Sequence, residues 1–247
     1  MAEGVFSKLD ESLQKALDER EWTPTPVQQV TQDDIAAGKD RLVVAPTGSG
    51  KTMAAILPLL DRCLREEWTG MSILYITPLR ALNRDVDRRL EEITSAVGLT
   101  LGLRHGDTPQ SERNKHVRKP PNVMITTPET FQLMFTGSRL RELLRTVKAV
   151  VIDEIHEIAD GERGWQLSVG LSRLESFKGS PVQKVGLSAT IGNPEQVAKW
   201  LSNDTQPIVA IAPRYTELSV DAIIQTPEDE IGSLELAISP RAHATLR

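Results

Sequence analysis

Short apolar runs alternate along this chain with stretches in which hydrophobic residues recur at helical spacing. The runs at Arg41–Ala45, Ser72–Thr77, Thr100–Leu103, Asn122–Thr126, Val147–Asp153, Val182–Ser188 and Pro207–Ile211 are aliphatic and often β-branched. Continuous apolar segments of about 4–8 residues suit strands buried on both faces, so all seven are predicted strands. Between them, helical spacing predicts helices over Lys51–Glu66, Leu79–Val97, Pro128–Met134, Gln166–Phe177 and Pro194–Ser202, several opened by a proline or threonine start signal. Strand and helix in alternation predict an α/β fold, a mostly parallel sheet with helices on both faces. Ligands of such sheets collect at the carboxyl ends of the strands. Further on, Tyr215–Gln225 reads as one more extended segment, Thr226-Pro227-Glu228-Asp229-Glu230 as a linker, and the tail to Arg247 carries no motif.

The first strand runs directly into Ala45-Pro46-Thr47-Gly48-Ser49-Gly50-Lys51-Thr52. Thr47, Gly48, Ser49 and Gly50 form a turn whose glycines let backbone N–H groups point inward around phosphate oxygens. Lys51 supplies a point charge and Thr52 a hydroxyl suited to Mg²⁺. The helix that follows adds the positive end of its dipole. The pattern G-x-x-x-x-G-K-[ST] is met except at its first glycine, where this chain has Ala45. A Gly-Lys-Thr in an ordinary glycine turn is the competing reading, and the preceding strand favours a nucleoside triphosphate.

The fifth run ends in Asp153-Glu154-Ile155-His156. A buried strand delivers Asp153 to its mouth, where the carboxylate can hold Mg²⁺, while Glu154 can orient the attacking water at a γ-phosphate. Asp-Glu after a strand also occurs as a solvated turn, and a lone histidine such as His156 is commonly structural. The phosphate loop upstream tips the balance toward catalysis. No cluster with metal-ligand spacing of cysteine and histidine occurs, which argues against structural zinc.

Composition narrows the setting. A chain of 247 residues accommodates one large α/β domain with an extension, not two equal ones. With 26% charged and 39% hydrophobic residues the chain suits a soluble globular protein. The net charge of -5 gives no general attraction for polyanions, so any nucleic-acid contact must come from local basic patches. Cys63, the single cysteine, allows no intrachain disulfide and reads as a small core residue in a reducing compartment. No apolar run is long enough for a signal or membrane span, and a cytoplasmic location is expected.

Around these two elements lie Thr23-Pro24-Thr25-Pro26-Val27-Gln28, Thr77-Pro78-Leu79-Arg80-Ala81-Leu82, Thr126-Thr127-Pro128-Glu129 and Ser188-Ala189-Thr190. In this order the motifs resemble the first RecA-like, P-loop NTPase domain of a superfamily-two helicase of DExH type, across roughly Phe6 to Leu201. Ala45 is itself a departure shared by that superfamily. Gly106-Asp107-Thr108-Pro109-Gln110-Ser111-Glu112-Arg113, Pro120-Pro121-Asn122 and Arg163-Gly164 through Arg173-Leu174 resemble the Lhr, or large helicase-related, group. The resemblance implies ATP and Mg²⁺ as cofactors. It implies an N-terminal helical region over 1–39 with Gln28 selecting adenine through its N6/N7 edge, the motor domain over 40–212, and a segment over 213–247 leading toward a second RecA-like domain. Phe6 or Trp22 is a candidate to stack on the base, or else a core residue. Ser188 and Thr190, with His156, resemble the motif that couples hydrolysis to domain movement; a merely polar strand end is the alternative.

By the same resemblance, single-stranded DNA or RNA lies across Pro78, Leu79, Arg80, Thr126, Thr127 and Pro128, held by helix N-termini through its phosphates. Arg104 and Arg113 extend that track, whereas Arg84, Arg88 and Arg89 read better as a solvated helix face. Glu129 is expected to cap its helix. His105 and His116 receive no role. The missing partner domain would bring the arginine that stabilises the transferring phosphoryl group, a contribution of order 10³–10⁵ in rate in related NTPases. The resemblance further implies DNA repair or genome maintenance, and a domain that is a poor ATPase alone.

Overall fold

The computed structural model of the protein describes residues 4–78, 84–159, 161–189 and 191–210, the side chains of 84–86 excepted. Leu79–Asn83, Thr190 and everything from Ile211 onward, including the extended segment and linker over 213–247, lie outside the described residues.

Seven parallel strands form one sheet in the order β3-β4-β2-β5-β6-β1-β7. They are β1 Arg41–Val44, β2 Ile73–Ile76, β3 Leu101–Arg104, β4 Val123–Thr126, β5 Ala149–Ile152, β6 Gln183–Ser188 and β7 Gln206–Val209. Each matches a predicted run to within a few residues at either end. β1, β2, β4, β5 and β6 are buried along their whole length, as expected of strands covered on both faces, while edge strand β7 is largely exposed.

One helical layer contains α1 Glu11–Asp18, α2 Pro26–Ala36, α3 Lys51–Arg65 and α4 Arg84–Ala96. Leu13, Leu17, Val27, Ile35, Ile56 and Leu60 from this layer pack with Val43, Tyr75 and Val151 of the sheet, so the N-terminal helices share the core of the domain. Phe6 and Trp22 are half-buried against that same core, and Cys63 lies within it. On the opposite face, α6 Pro128–Met134, α8 Ile155–Ile158, α9 Glu162–Lys178 and α10 Pro194–Leu201 contribute Phe131, Met134, Ile155, Leu167, Leu171 and Leu201 against Leu74, Val150 and Ile152.

Past the N-terminal α1 and α2, three helices among the described residues have no counterpart in the hydrophobic pattern: α5 Gln110–Arg118, α7 Ser138–Leu143 and α8. Each is shorter than ten residues, and α5 is almost wholly polar with only His116 buried, so no apolar stripe marks it. α9 begins at Glu162, four residues before the expected Gln166, with Gly161 at its N-cap. Helix α6 is capped by the Thr127 side chain, which accepts from the Thr130 N–H. Glu129, in the first turn beside this cap, also pairs with Arg163 at 2.7 Å. A hydroxyl one residue before Pro128 can close on the N3 amide, and Glu129 is already inside the first turn.

Candidate nucleotide-binding site

Sheet order decides what meets at the carboxyl ends of the strands. β6 lies between β1 and β5, with Val44 opposite Ser188 and Ile152 opposite Gly186. The loop after β1 and the acids after β5 therefore flank the tip of β6, although about a hundred residues separate them in sequence.

In the loop, Gly48 and Gly50 adopt φ of +79° and +91°, a region open to glycine at no steric cost. A β-carbon at Gly50 would stand 2.7 Å from the Gln28 amide nitrogen, whereas one at Gly48 would meet nothing within 4 Å. The loop is thus tight on the Gln28 side and open on the other. Lys51 is buried, its ammonium donating to the carbonyls of Ala45 at 2.8 Å and Pro46 at 3.1 Å. Burial lowers its pKa, while the charges of Glu154 and Asp153 act the opposite way, which puts both acids within electrostatic reach of the loop. Among the described residues, the buried Ser49 hydroxyl has no hydrogen-bond partner. An orphaned hydroxyl in a glycine-bent loop beside a lysine suits a polyphosphate oxygen.

Asp153 follows β5 and its N–H donates to the Ile76 carbonyl, fixing it at the sheet edge. One carboxylate oxygen accepts from the Glu154 N–H at 2.9 Å and the other from the Tyr75 phenol at 2.5 Å. Glu154 sits at φ +44° and ψ +44°, a left-handed conformation uncommon for a non-glycine residue. Burial raises the pKa of Asp153 despite hydrogen bonds from Tyr75 and Glu154; burial and the neighbouring Asp153 charge raise that of Glu154. Two desolvated carboxylates facing one lysine, with a threonine hydroxyl alongside, form a donor set of hard oxygens that fits Mg²⁺.

His156 follows at once. Its Nδ1 is 3.2 Å from the Ser188 hydroxyl and 3.5 Å from Glu154 Oε2. The Ser188 carbonyl in turn accepts from the Ala45 N–H, so the tip of β6 touches both flanking elements.

Gln28 is buried near the N-terminal end of α2. Its amide oxygen accepts from the Thr25 N–H at 3.0 Å and its nitrogen donates to the Gly50 carbonyl at 3.3 Å. One amide hydrogen and one lone pair remain.

The residues expected along a nucleic-acid strand divide. Thr126, Thr127 and Pro128 are buried, so what they can offer a phosphate is the backbone at the start of α6. Pro78 is buried beside them at the end of β2, and Leu79, Arg80 and Thr190 lie outside the described residues. The Arg113 guanidinium donates to the carbonyls of His105, Gly106 and Thr108, clamping the turn after β3, and the residue also lines the groove beside α6. Arg88 and Arg89 are exposed on α4, as a solvated face predicts. Next to α6 runs a groove of about 690 Å³ whose walls include Arg104, Arg118 and Arg139 with Thr130 and Leu133, and no carboxylate. Arg118 and Arg139 escaped sequence reasoning because they belong to the short helices that the pattern did not mark.

The profile of the DEAD/DEAH box helicases matches residues 25–197, from the N-cap of α2 into α10. The chain belongs to this family. It is 38% identical over 237 residues to the Lhr helicase/probable uracil glycosylase of Mycolicibacterium smegmatis, covering 87% of this chain and 16% of that protein. It is also 38% identical over 243 residues to the Lhr helicase/uracil glycosylase of Escherichia coli, covering 90% and 16%. Its fold is that of RecA-like helicase domains. The structure of Mycobacterium smegmatis helicase Lhr bound to ssDNA and AMP-PNP superposes with a TM-score of 0.76 at 36% identity, across 85% of this chain and 28% of that one. The chain thus spans about a sixth of the length of these curated relatives. Among the described residues no helix is long and apolar enough to cross a membrane.

Proposed function

We propose that the chain is the first RecA-like half of an ATP-dependent helicase or translocase. It binds ATP with Mg²⁺ at the tips of β1, β5 and β6 and carries a single strand of nucleic acid across the tips of β2 and β4. The observation that carries the reading is the sheet order, which sets the loop bearing Lys51 and the pair Asp153 and Glu154 on either side of the tip of β6. The relative solved with ssDNA and AMP-PNP supports it independently.

In this reading the 47–50 loop amides, the Ser49 hydroxyl and Lys51 hold the phosphates. Lys51 exchanges two loop carbonyls for phosphate oxygens. Thr52 and Asp153 would hold Mg²⁺, which when bound would supply positive charge against the charge developing on the phosphates. Glu154 orients the attacking water and accepts its proton, helped by a pKa that burial and the neighbouring Asp153 charge raise. Gln28 uses its free amide hydrogen and lone pair on the adenine edge. His156, Ser188 and Thr190 relay the state of the site to a second RecA-like domain, which brings the arginine that this half lacks. DNA, or alternatively RNA, follows Pro78, Leu79, Arg80 and the start of α6 into the arginine-lined groove, its phosphates contacted without base readout. Residues 1–39 form the adenine-reading region, 40–212 the motor domain, and 213–247 lead to the partner. Work in the cytoplasm on DNA repair accords with it.

Steady-state ATPase and nucleotide binding with and without single strands test the proposal. Tight Mg²⁺-dependent ATP binding with slow turnover is expected. Failure to bind ATP overturns the reading as a whole, and robust strand-stimulated turnover overturns the need for a second domain.

A further inference from the structure

Tyr75 is the largest polar side chain that the sheet buries completely, and nothing in the reading above uses it. It sits on β2, one register step before Ile76, opposite Val151 of β5. Side chains alternate across a strand, so Tyr75 points to the same face as Ile73 and away from Leu74. That is the face on which α3 packs, and the phenol reaches past the sheet to the point where β5 ends and α3 begins. There it donates to Asp153 Oδ2.

One residue assigned to the metal is therefore held by a phenol that water does not reach. A buried hydroxyl without partners costs roughly 1–3 kcal/mol, so the phenol has reason to hold the aspartate. The aspartate gains more than a partner. With Oδ1 fixed by the Glu154 N–H and Oδ2 by Tyr75, the carboxylate plane cannot rotate, and its remaining lone pairs keep one direction. Outer groups that orient metal-binding carboxylates act in this way.

We infer that Tyr75 is a positioning residue for magnesium, holding the Asp153 carboxylate in the arrangement the ion requires. The inference rests on the Mg²⁺–nucleotide reading of this cleft. Tyr75 touches no phosphate in that reading, so its removal should weaken the metal's contribution and spare the nucleotide's own.

The experiment uses the 247-residue chain and a fluorescent ATP analogue. Affinity is measured in EDTA and then across a Mg²⁺ titration, for the wild type and for Tyr75→Phe, which keeps the ring and its packing. The expected result is an EDTA affinity within about twofold of wild type, with the Mg²⁺ concentration for half-maximal enhancement raised on the order of 10-fold. Combined with Asp153→Ala, the tyrosine substitution should add nothing further. An unchanged Mg²⁺ midpoint, or an equal loss with and without metal, overturns the inference while leaving the nucleotide site standing. A wild type that shows no Mg²⁺-dependent binding overturns the underlying reading instead. Should Tyr75→Phe not fold, Tyr75→Met, apolar and flexible enough to fill the space, carries the same expectation.

Discussion

The hydroxyl of Ser188 and Nδ1 of His156 stand 3.2 Å apart, joining the last residue of β6 to the helix that follows β5. Ser188 is fully buried and His156 is not, so this bond is the inner fixing of a partly exposed side chain. Its tautomer follows from the partner: if Nδ1 accepts from the serine, Nε2 carries the proton outward.

Ser188→Ala should therefore loosen His156 and leave nucleotide binding intact. Loss of one buried hydrogen bond is expected to cost about 0.5–1.5 kcal/mol, read from urea unfolding. ATP affinity should stay within about twofold, because the hydroxyl touches no element of the phosphate loop.

Lys51→Ala removes the buried cation that Ala45 and Pro46 hold in place. Ligand at about 100-fold above its Kd adds ~2.7 kcal/mol to the stability of the wild type. The variant should show almost none of that gain in a thermal melt with MgATP. A full ligand-induced shift would remove Lys51 from the phosphate site.

Glu154→Gln separates binding from chemistry. The amide cannot accept a proton from water, so turnover should fall about 10²–10⁴-fold while MgATP binding persists. Single-turnover hydrolysis and equilibrium binding on the same sample check both halves.

Asp153 and Glu154 titrate above their ordinary values of 3.8 and 4.5, principally because burial opposes their charged forms, with Lys51 and His156 acting the other way. A carboxyl whose folded pKa is raised stabilises the fold most below its unfolded value and loses that contribution as pH rises through the raised one. The free chain should thus lose stability over the window just above the ordinary carboxylate range. Mg²⁺ needs Asp153 ionised, so the stabilisation by MgATP should grow across the same window. Melting curves with and without ligand at stepped pH show the effect, and Asp153→Asn should flatten it.

Much of this was readable beforehand. The strands stood out because each is a continuous apolar run, and the phosphate loop and Asp153-Glu154 because each follows such a run directly. Gly48 and Gly50 could be assigned a positive φ from the turn they make. What stayed hidden depends on which strands become neighbours. Tyr75 looks like any core aromatic until β2 is placed beside β5, and only then does it face Asp153. Arg113 was readable as a charge near that track, but the three carbonyls of its own loop that it also holds were not.

Gln28 clasps the Gly50 carbonyl, and Gly50 has no room for a side chain on that flank. A purine that recruits the glutamine would tug on the loop beneath it. Discrimination among bases and the grip on the triphosphate tail would then be one mechanical event: a poorly matched nucleobase would be penalised several ångströms away, where the bond breaks.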